Sequence, residues 1–147
     1  MKNYVLLILC FCFSLSFSQN DRKSRTVQIA DKYFFVEDYY LATEYYRKEL
    51  ESDINNAYDV FQLGECHRLF FDYKMAKRWY ARCMELDAKN YPLAAYYYAL
   101  MLKIDGEYLE AENVLEDFEN TYESKDSLDH YKELAHLHYE GSVLALD

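Results

Sequence analysis

Leu63-Gly64-Glu65-Cys66-His67-Arg68-Leu69-Phe70-Phe71-Asp72-Tyr73-Lys74-Met75-Ala76-Lys77-Arg78-Trp79-Tyr80 is the stretch whose reading decides the fold. Thirty-four residues earlier, Ala30, Tyr33, Tyr39, Ala42 and Tyr46 occupy the places of Gly64, His67, Tyr73, Ala76 and Tyr80. A third copy follows 35 residues later, with Ala99, Leu102, Gly106, Tyr108, Ala111 and Leu115 in register. Two helices cross closely only where one side chain is small and larger neighbours fill the space beside the crossing. Ala30, Gly64 and Ala99 are therefore assigned to the close contacts of a first helix, and Ala42, Ala76 and Ala111 to those of a second. The intervening tyrosines become packing residues whose hydroxyls reach the edge of the core. That assignment accounts for most of the 17 tyrosines without a cofactor.

Working outward, the pattern predicts helices over about 24–36, 39–52, 56–70, 73–87, 92–104 and 108–122. Asn55 and Asn56 are candidate caps, Pro92 suits a first helical turn, and Asp105-Gly106 supplies a turn between the fifth and sixth helices. A polar stretch from Glu123 to Asp126 precedes an expected last helix, about 127–145, with Leu128, Tyr131, Leu134, Ala135 and Leu137 as its apolar stripe. It would cap the open end of the array. Three glycines and one proline in 147 residues leave an all-β fold without its turn residues, so the fold class expected is an all-α solenoid of three helical hairpins plus a C-terminal capping helix.

The N-terminus carries one basic residue, Lys2, then an apolar run from Tyr4 to Phe17 ending in Ser16-Phe17-Ser18. Fourteen residues give roughly 21 Å of helix against a hydrocarbon core of roughly 30 Å, which reads as a cleaved signal peptide over 1–18 and no stable membrane span. The domain reading is then 1–18 signal peptide, 19–22 short lead, 23–124 three repeats (about 23–56, 57–91 and 92–124) and 125–147 cap. Without residues 1–18, 15 basic residues face 26 acidic ones, a formal charge of 15 − 26 = −11. A polyanion is repelled by that balance, so nucleic acid is excluded as a partner. Cys66 and Cys83 are offset too far across the second hairpin for a disulfide and are read as small buried hydrophobes.

The second copy, through Leu63-Gly64, His67, Asp72-Tyr73, Ala76, Trp79-Tyr80, Cys83-Met84 and Asp87, resembles the tetratricopeptide repeat (TPR) family over roughly residues 23–122. It carries His67 where an aromatic is usual and Ala88 where proline is usual. The wording of Ala30-Asp31-Lys32-Tyr33-Phe34, Asp38-Tyr39-Tyr40-Leu41-Ala42 and Leu63-Gly64-Glu65-Cys66-His67-Arg68 is similar to the N-terminal TPR region of periplasmic OmpA-family proteins of Bacteroidota, some linked to type IX secretion and gliding. In those proteins a β-propeller and a peptidoglycan-binding domain follow; neither fits here, so peptidoglycan binding is not carried over and the chain reads as a truncated copy or a fragment.

The resemblance implies a concave groove lined by the first helices. The register turns Val27, Asp31, Phe34 and Phe35, then Tyr58, Phe61, Glu65, Arg68 and Leu69, then Leu93, Tyr96, Leu100, Lys103 and Ile104 toward it. Such an aromatic surface suits a peptide or partner helix in the cell envelope, centred on Phe61 and Arg68. Arg68→Glu or Phe61→Ala is then expected to abolish capture and leave melting unchanged. The basic and asparagine pattern of chaperone-tail-binding members is absent, Val27 and Asp31 standing on that face. The competing reading is a helical enzyme or a metal- or small-molecule-binding domain using Glu133, His130, His136 and His138. The Glu133/His136 spacing lacks a second pair, and no catalytic or metal residues, and no cofactor, are assigned. Exposed aromatics serve a self-interface as well as a foreign one, which leaves the oligomeric state open.

Overall fold

A computed structural model describes residues 23–121. The expected signal segment, the capping helix and the Glu133 and histidine cluster lie outside the described residues. Six helices alternate in direction, each packing on the next: α1 Arg25–Phe35, α2 Tyr39–Leu50, α3 Ala57–Leu69, α4 Tyr73–Asp87, α5 Pro92–Ile104 and α6 Tyr108–Thr121. None is long and apolar enough to cross a membrane.

Each helix start is set by local chemistry. The side chains of Ser24, Asp38, Asn56 and Asp72 accept hydrogen bonds from the N–H groups of Val27, Leu41, Asp59 and Met75, satisfying donors that the first turn leaves free. Pro92 opens α5, where a missing N–H costs nothing.

The turns within the three hairpins repeat as closely as the helices do. Asp38 N–H donates to Tyr33 O (2.9 Å), Asp72 to His67 O (2.8 Å) and Glu107 to Leu102 O (2.9 Å). Glu37, Phe71 and Gly106 donate to the carbonyls of Phe34, Arg68 and Lys103, which completes the paired-bond helix stop of the Schellman type. That stop needs a left-handed residue, and Glu37, Phe71 and Gly106 have φ of 62°, 61° and 81°. Only the third copy uses glycine, which is why composition showed one turn of the three.

The core follows the small-residue register. Ala30, Ala42, Ala76 and Ala99 are fully buried, and so is Ala111 within 1%. At Gly64 a Cβ would lie 2.6 Å from Cε1 of Tyr80, so a larger residue there would force the buried ring to shift. One buried cluster joins Val27, Ala30, Ala42, Tyr46, Leu63 and Cys66; a second joins Val60, Ala76, Tyr80, Cys83, Ala94, Tyr97 and Met101. At α5 and α6 the cluster shrinks to Ala99, Leu102 and Ala111. Cys66 and Cys83 are free and buried, as expected, and burial pushes both thiols up to about 12.

Candidate functional site

The odd-numbered helices carry the residues that the sequence assigned to a groove, and three of the polar ones, Asp31, Glu65 and Arg68, are engaged with the fold itself. Glu65 and Arg68, one turn apart on α3, are 3% and 7% exposed. The Arg68 guanidinium grips the carboxylate at both oxygens, Nε to Oε1 at 3.2 Å and Nη2 to Oε2 at 2.7 Å. Tyr80, from α4, donates its hydroxyl to Glu65 Oε1 and accepts from Arg68 Nε at 3.2 Å. The Tyr97 ring, from α5, lies 4.5 Å under the guanidinium carbon. Burial presses the Arg68 pKa down, but the adjoining Glu65 carboxylate outweighs it and holds the value above the ordinary range. Burial, then the same carboxylate, drives the Tyr80 phenol well above its usual value. Arg68 is therefore part of a buried polar knot spanning three helices rather than an exposed anchor, and a charge reversal there would not leave melting untouched.

The first copy repeats the arrangement. Asp31 accepts from the hydroxyls of Tyr46 (2.8 Å) and Tyr58 (2.6 Å) and from Lys23 Nζ (2.8 Å). Lys23 also sits 4.0 Å over the Tyr58 ring. Burial pushes Asp31 upward, and these three donors more than reverse it, holding the carboxyl below its usual range. In both copies a carboxylate on the first helix receives a tyrosine hydroxyl from the second helix, 15 residues later. The third copy has Leu100 and Leu115 at those places, so its hairpin lacks the bond. The sequence carried this signal, an acid at 31 and 65 and a tyrosine at 46 and 80, and the tyrosines were assigned to packing alone.

The expected aromatics divide into two groups. Phe34, Tyr58, Phe61, Leu69 and Tyr96 are half-buried. Phe34 meets Tyr39 edge-on at 5.5 Å, Phe61 lies between Tyr80 (6.1 Å) and Tyr91 (5.4 Å), and Tyr96 between Tyr97 (5.7 Å) and Phe118 (6.1 Å). Each keeps part of its ring at the surface while packing on a neighbouring helix. Phe35 and Lys103 are exposed, Phe35 by 86%, at the ends of α1 and α5. Val27 is buried in the first core cluster and does not line a surface.

One polar residue that the register did not single out is Asp59, in the first turn of α3. It is fully buried and neither carboxylate oxygen has a partner. Burial, with Glu49, Asp31 and Asp53 adding repulsion and only Lys23 opposing, pushes it up to about 7. His67 Nδ1 lies 3.2 Å from Asp72, yet burial holds its imidazole below the ordinary range. Among the described residues no group of three His, Cys, Asp or Glu side chains is placed to hold a metal.

Six antiparallel helices with three repeated turns define an all-α solenoid of helical hairpins. The chain is similar to the TPR2B domain of yeast Sti1, solved in a complex with pHsp70, at 18% identity with a TM-score of 0.63. The match covers 82% of this chain and 99% of that one, and at this identity it speaks to the fold. Neither a family model nor a curated protein matches.

Proposed function

We propose that this chain is a non-catalytic scaffold that holds a peptide or a partner helix along the face formed by α1, α3 and α5. The observation that carries the reading is the half-exposed aromatic row of Phe34, Tyr58, Phe61 and Tyr96, each seated on a neighbouring ring and so pre-positioned at little entropic cost. Rigid aromatic anchors of this kind dominate recognition surfaces. The similar Sti1 domain, in a complex with pHsp70, supports a polypeptide occupant. Asp31 and Glu65, held by hydroxyl and guanidinium donors, leave the face without a free cation at those places, which fits an apolar occupant better than an acidic tail. The reading extends to an exported protein acting in the periplasm, within an outer-membrane or type IX secretion-associated assembly, supported by the 1–18 segment and the wording of the first two repeats.

Photo-crosslinking tests it. Benzoylphenylalanine placed at Phe61 or Tyr96 in the full chain, in its native envelope, should trap a polypeptide, and the same group at exposed Lys48 on α2 should not. Crosslinks from position 48 with none from 61 and 96 would remove the groove reading. Recovery of the protein with residues 1–18 still attached would remove the exported one.

A further inference from the structure

Two carboxylates among the described residues are buried, both on α3. Glu65 is held by Arg68 and Tyr80, whereas Asp59 is 0% exposed and neither of its oxygens has a partner. Asp59 is the third residue of α3, where an acid ordinarily bonds back to the N–H of the capping residue and so closes the first turn. Here that N–H, of Asn56, donates to Asp53 O at 3.2 Å, and the N–H of Asp59 donates to Asn56 Oδ1 at 3.3 Å, so the turn is closed without the carboxyl. Packing does not call for it either. Thirty-five residues on, the third copy fills the place with Ala94, which is equally buried. A buried polar group that the fold neither bonds nor needs calls for a role outside packing.

The groups packed around Asp59 decide what that role is. Glu49 from α2, Asp53 from the turn after it and Asp31 from α1 all repel a charge there. Lys23, ahead of α1, opposes them, but it already donates to Asp31 and to Tyr58. On the other side the neighbours are neutral or engaged. Burial raises the phenol of Tyr91, ahead of α5, above its usual value. The Cys83 thiol on α4, pushed up to about 12 by burial, donates to Ala57 O, and Arg82 is tied to Glu85 and Asn55. No cation among these neighbours is left to compensate a carboxylate at Asp59, so only water can relieve it. The repulsion comes from the α1–α2 side alone, which fixes the element that would have to move.

We propose that Asp59 is a proton-operated latch between the first and second hairpins: with its proton it lets α2 and the turn after it close on α3, and without it the α1–α2 hairpin is driven off the start of α3. Burial and the three acids put the exchange of that proton near neutral pH, at about 7. An opened Asp59 has its ordinary value of about 3.9, so rising pH favours opening, by up to about tenfold per unit between the two values. Opening carries Phe34, on α1, away from Phe61 and Tyr96. That consequence rests on the binding face proposed above, whereas the latch does not.

Hydrogen exchange read by mass spectrometry on the purified full chain, at pH 5 and pH 7 with intrinsic rates corrected for, tests the latch without any partner. Residues 25–56 should be less protected than α4 and α5 at both values, because their opening leaves the rest folded. Their protection should fall by about tenfold or more between pH 5 and pH 7. Asp59→Ala, which copies the third repeat, and Asp59→Asn should both hold the pH 5 protection at pH 7. A fall that survives in both variants overturns the proposal. Equal protection of 25–56 and of α4 and α5 throughout also overturns it, since the ionisation is then met only by unfolding of the whole domain. Failure of both variants to give the parent's helical circular dichroism at pH 5 would make the carboxyl a folding residue and overturns it equally.

Discussion

Arg68→Met is the substitution on which the sequence and the structure part company. It removes a guanidinium that is 7% exposed and leaves a Glu65 carboxylate, 3% exposed, with the Tyr80 hydroxyl as its remaining donor. Breaking a buried ion pair from one side costs about 3–5 kcal/mol, because the surviving charge keeps its desolvation penalty and loses its compensation. The lost stacking on Tyr97, 4.5 Å away, adds about 0.5–2 kcal/mol. For a domain of about 100 residues each kcal/mol lowers Tm by roughly 4–8 °C, so the single variant should melt lower by roughly 12 °C or more.

The compensated variants decide whether the cause is the orphaned charge. Glu65→Leu with Arg68→Met removes both ions and should recover most of the loss, since a buried pair replaced by apolar residues is often neutral. It leaves the Tyr80 hydroxyl buried without a partner, costing about 1–3 kcal/mol, which adding Tyr80→Phe should return. Urea unfolding followed by circular dichroism on the parent, Arg68→Met, Glu65→Leu and the double variant gives the cycle, and the Glu65–Arg68 coupling should exceed about 2 kcal/mol. If Arg68→Met shifts stability by less than about 1 kcal/mol while abolishing partner capture, Arg68 is a surface anchor and the structural argument fails.

Gly64→Ala should be destabilising although alanine favours helix by about 1 kcal/mol. Its Cβ would meet the Tyr80 ring at 2.6–2.8 Å, a ring enclosed by Phe61 and Tyr97, and overpacking costs about 1–3 kcal/mol; a higher Tm than the parent would show the crossing to be loose. Asp59→Asn should flatten the pH dependence of stability. With a folded pKa of about 7 above an unfolded value of about 3.9, the contribution of Asp59 is greatest at low pH and falls by at most about 4 kcal/mol as pH rises from 4 to 7, because the unfolded chain releases the proton first. Parallel stability curves for parent and variant between pH 4 and 8 would refute that assignment.

The helices and their small-residue contacts were legible because they depend on period and size, which a sequence displays directly. Ala30, Gly64 and Ala99 recur at fixed spacing, and nothing but a close crossing requires them to be small. Two of the three Schellman turns were not legible, since Glu37 and Phe71 occupy a conformation whose usual marker is glycine. The internal ties of Asp31, Glu65 and Arg68 were not legible for a different reason. Periodicity gives the direction in which a side chain leaves its helix, but whether it meets solvent depends on how far partners from other helices reach. Asp31 and Glu65 leave α1 and α3 toward the expected face, where Tyr46 and Tyr80 reach across the hairpin and meet them.

The carboxylate and tyrosine pairs also bear on where binding can occur. Each pair converts a polar position on an odd-numbered helix into an internal tie between the two helices of a hairpin, so its hydrogen-bonding capacity is no longer open to a ligand. The residues left with unused contact area are then of two kinds, the half-exposed rings of Phe34, Phe61 and Tyr96 on the helix faces and the exposed Phe35, Phe70 and Phe71 at the turns. The first kind is fixed by packing on neighbouring rings, and the second is held out by the turn geometry itself. The packed rings are seated before a partner arrives, which lowers the entropic cost of association. Polar selectivity must then come from the charges that rim these rings, Glu37, Asp72 and Lys103 among them, rather than from the buried Arg68.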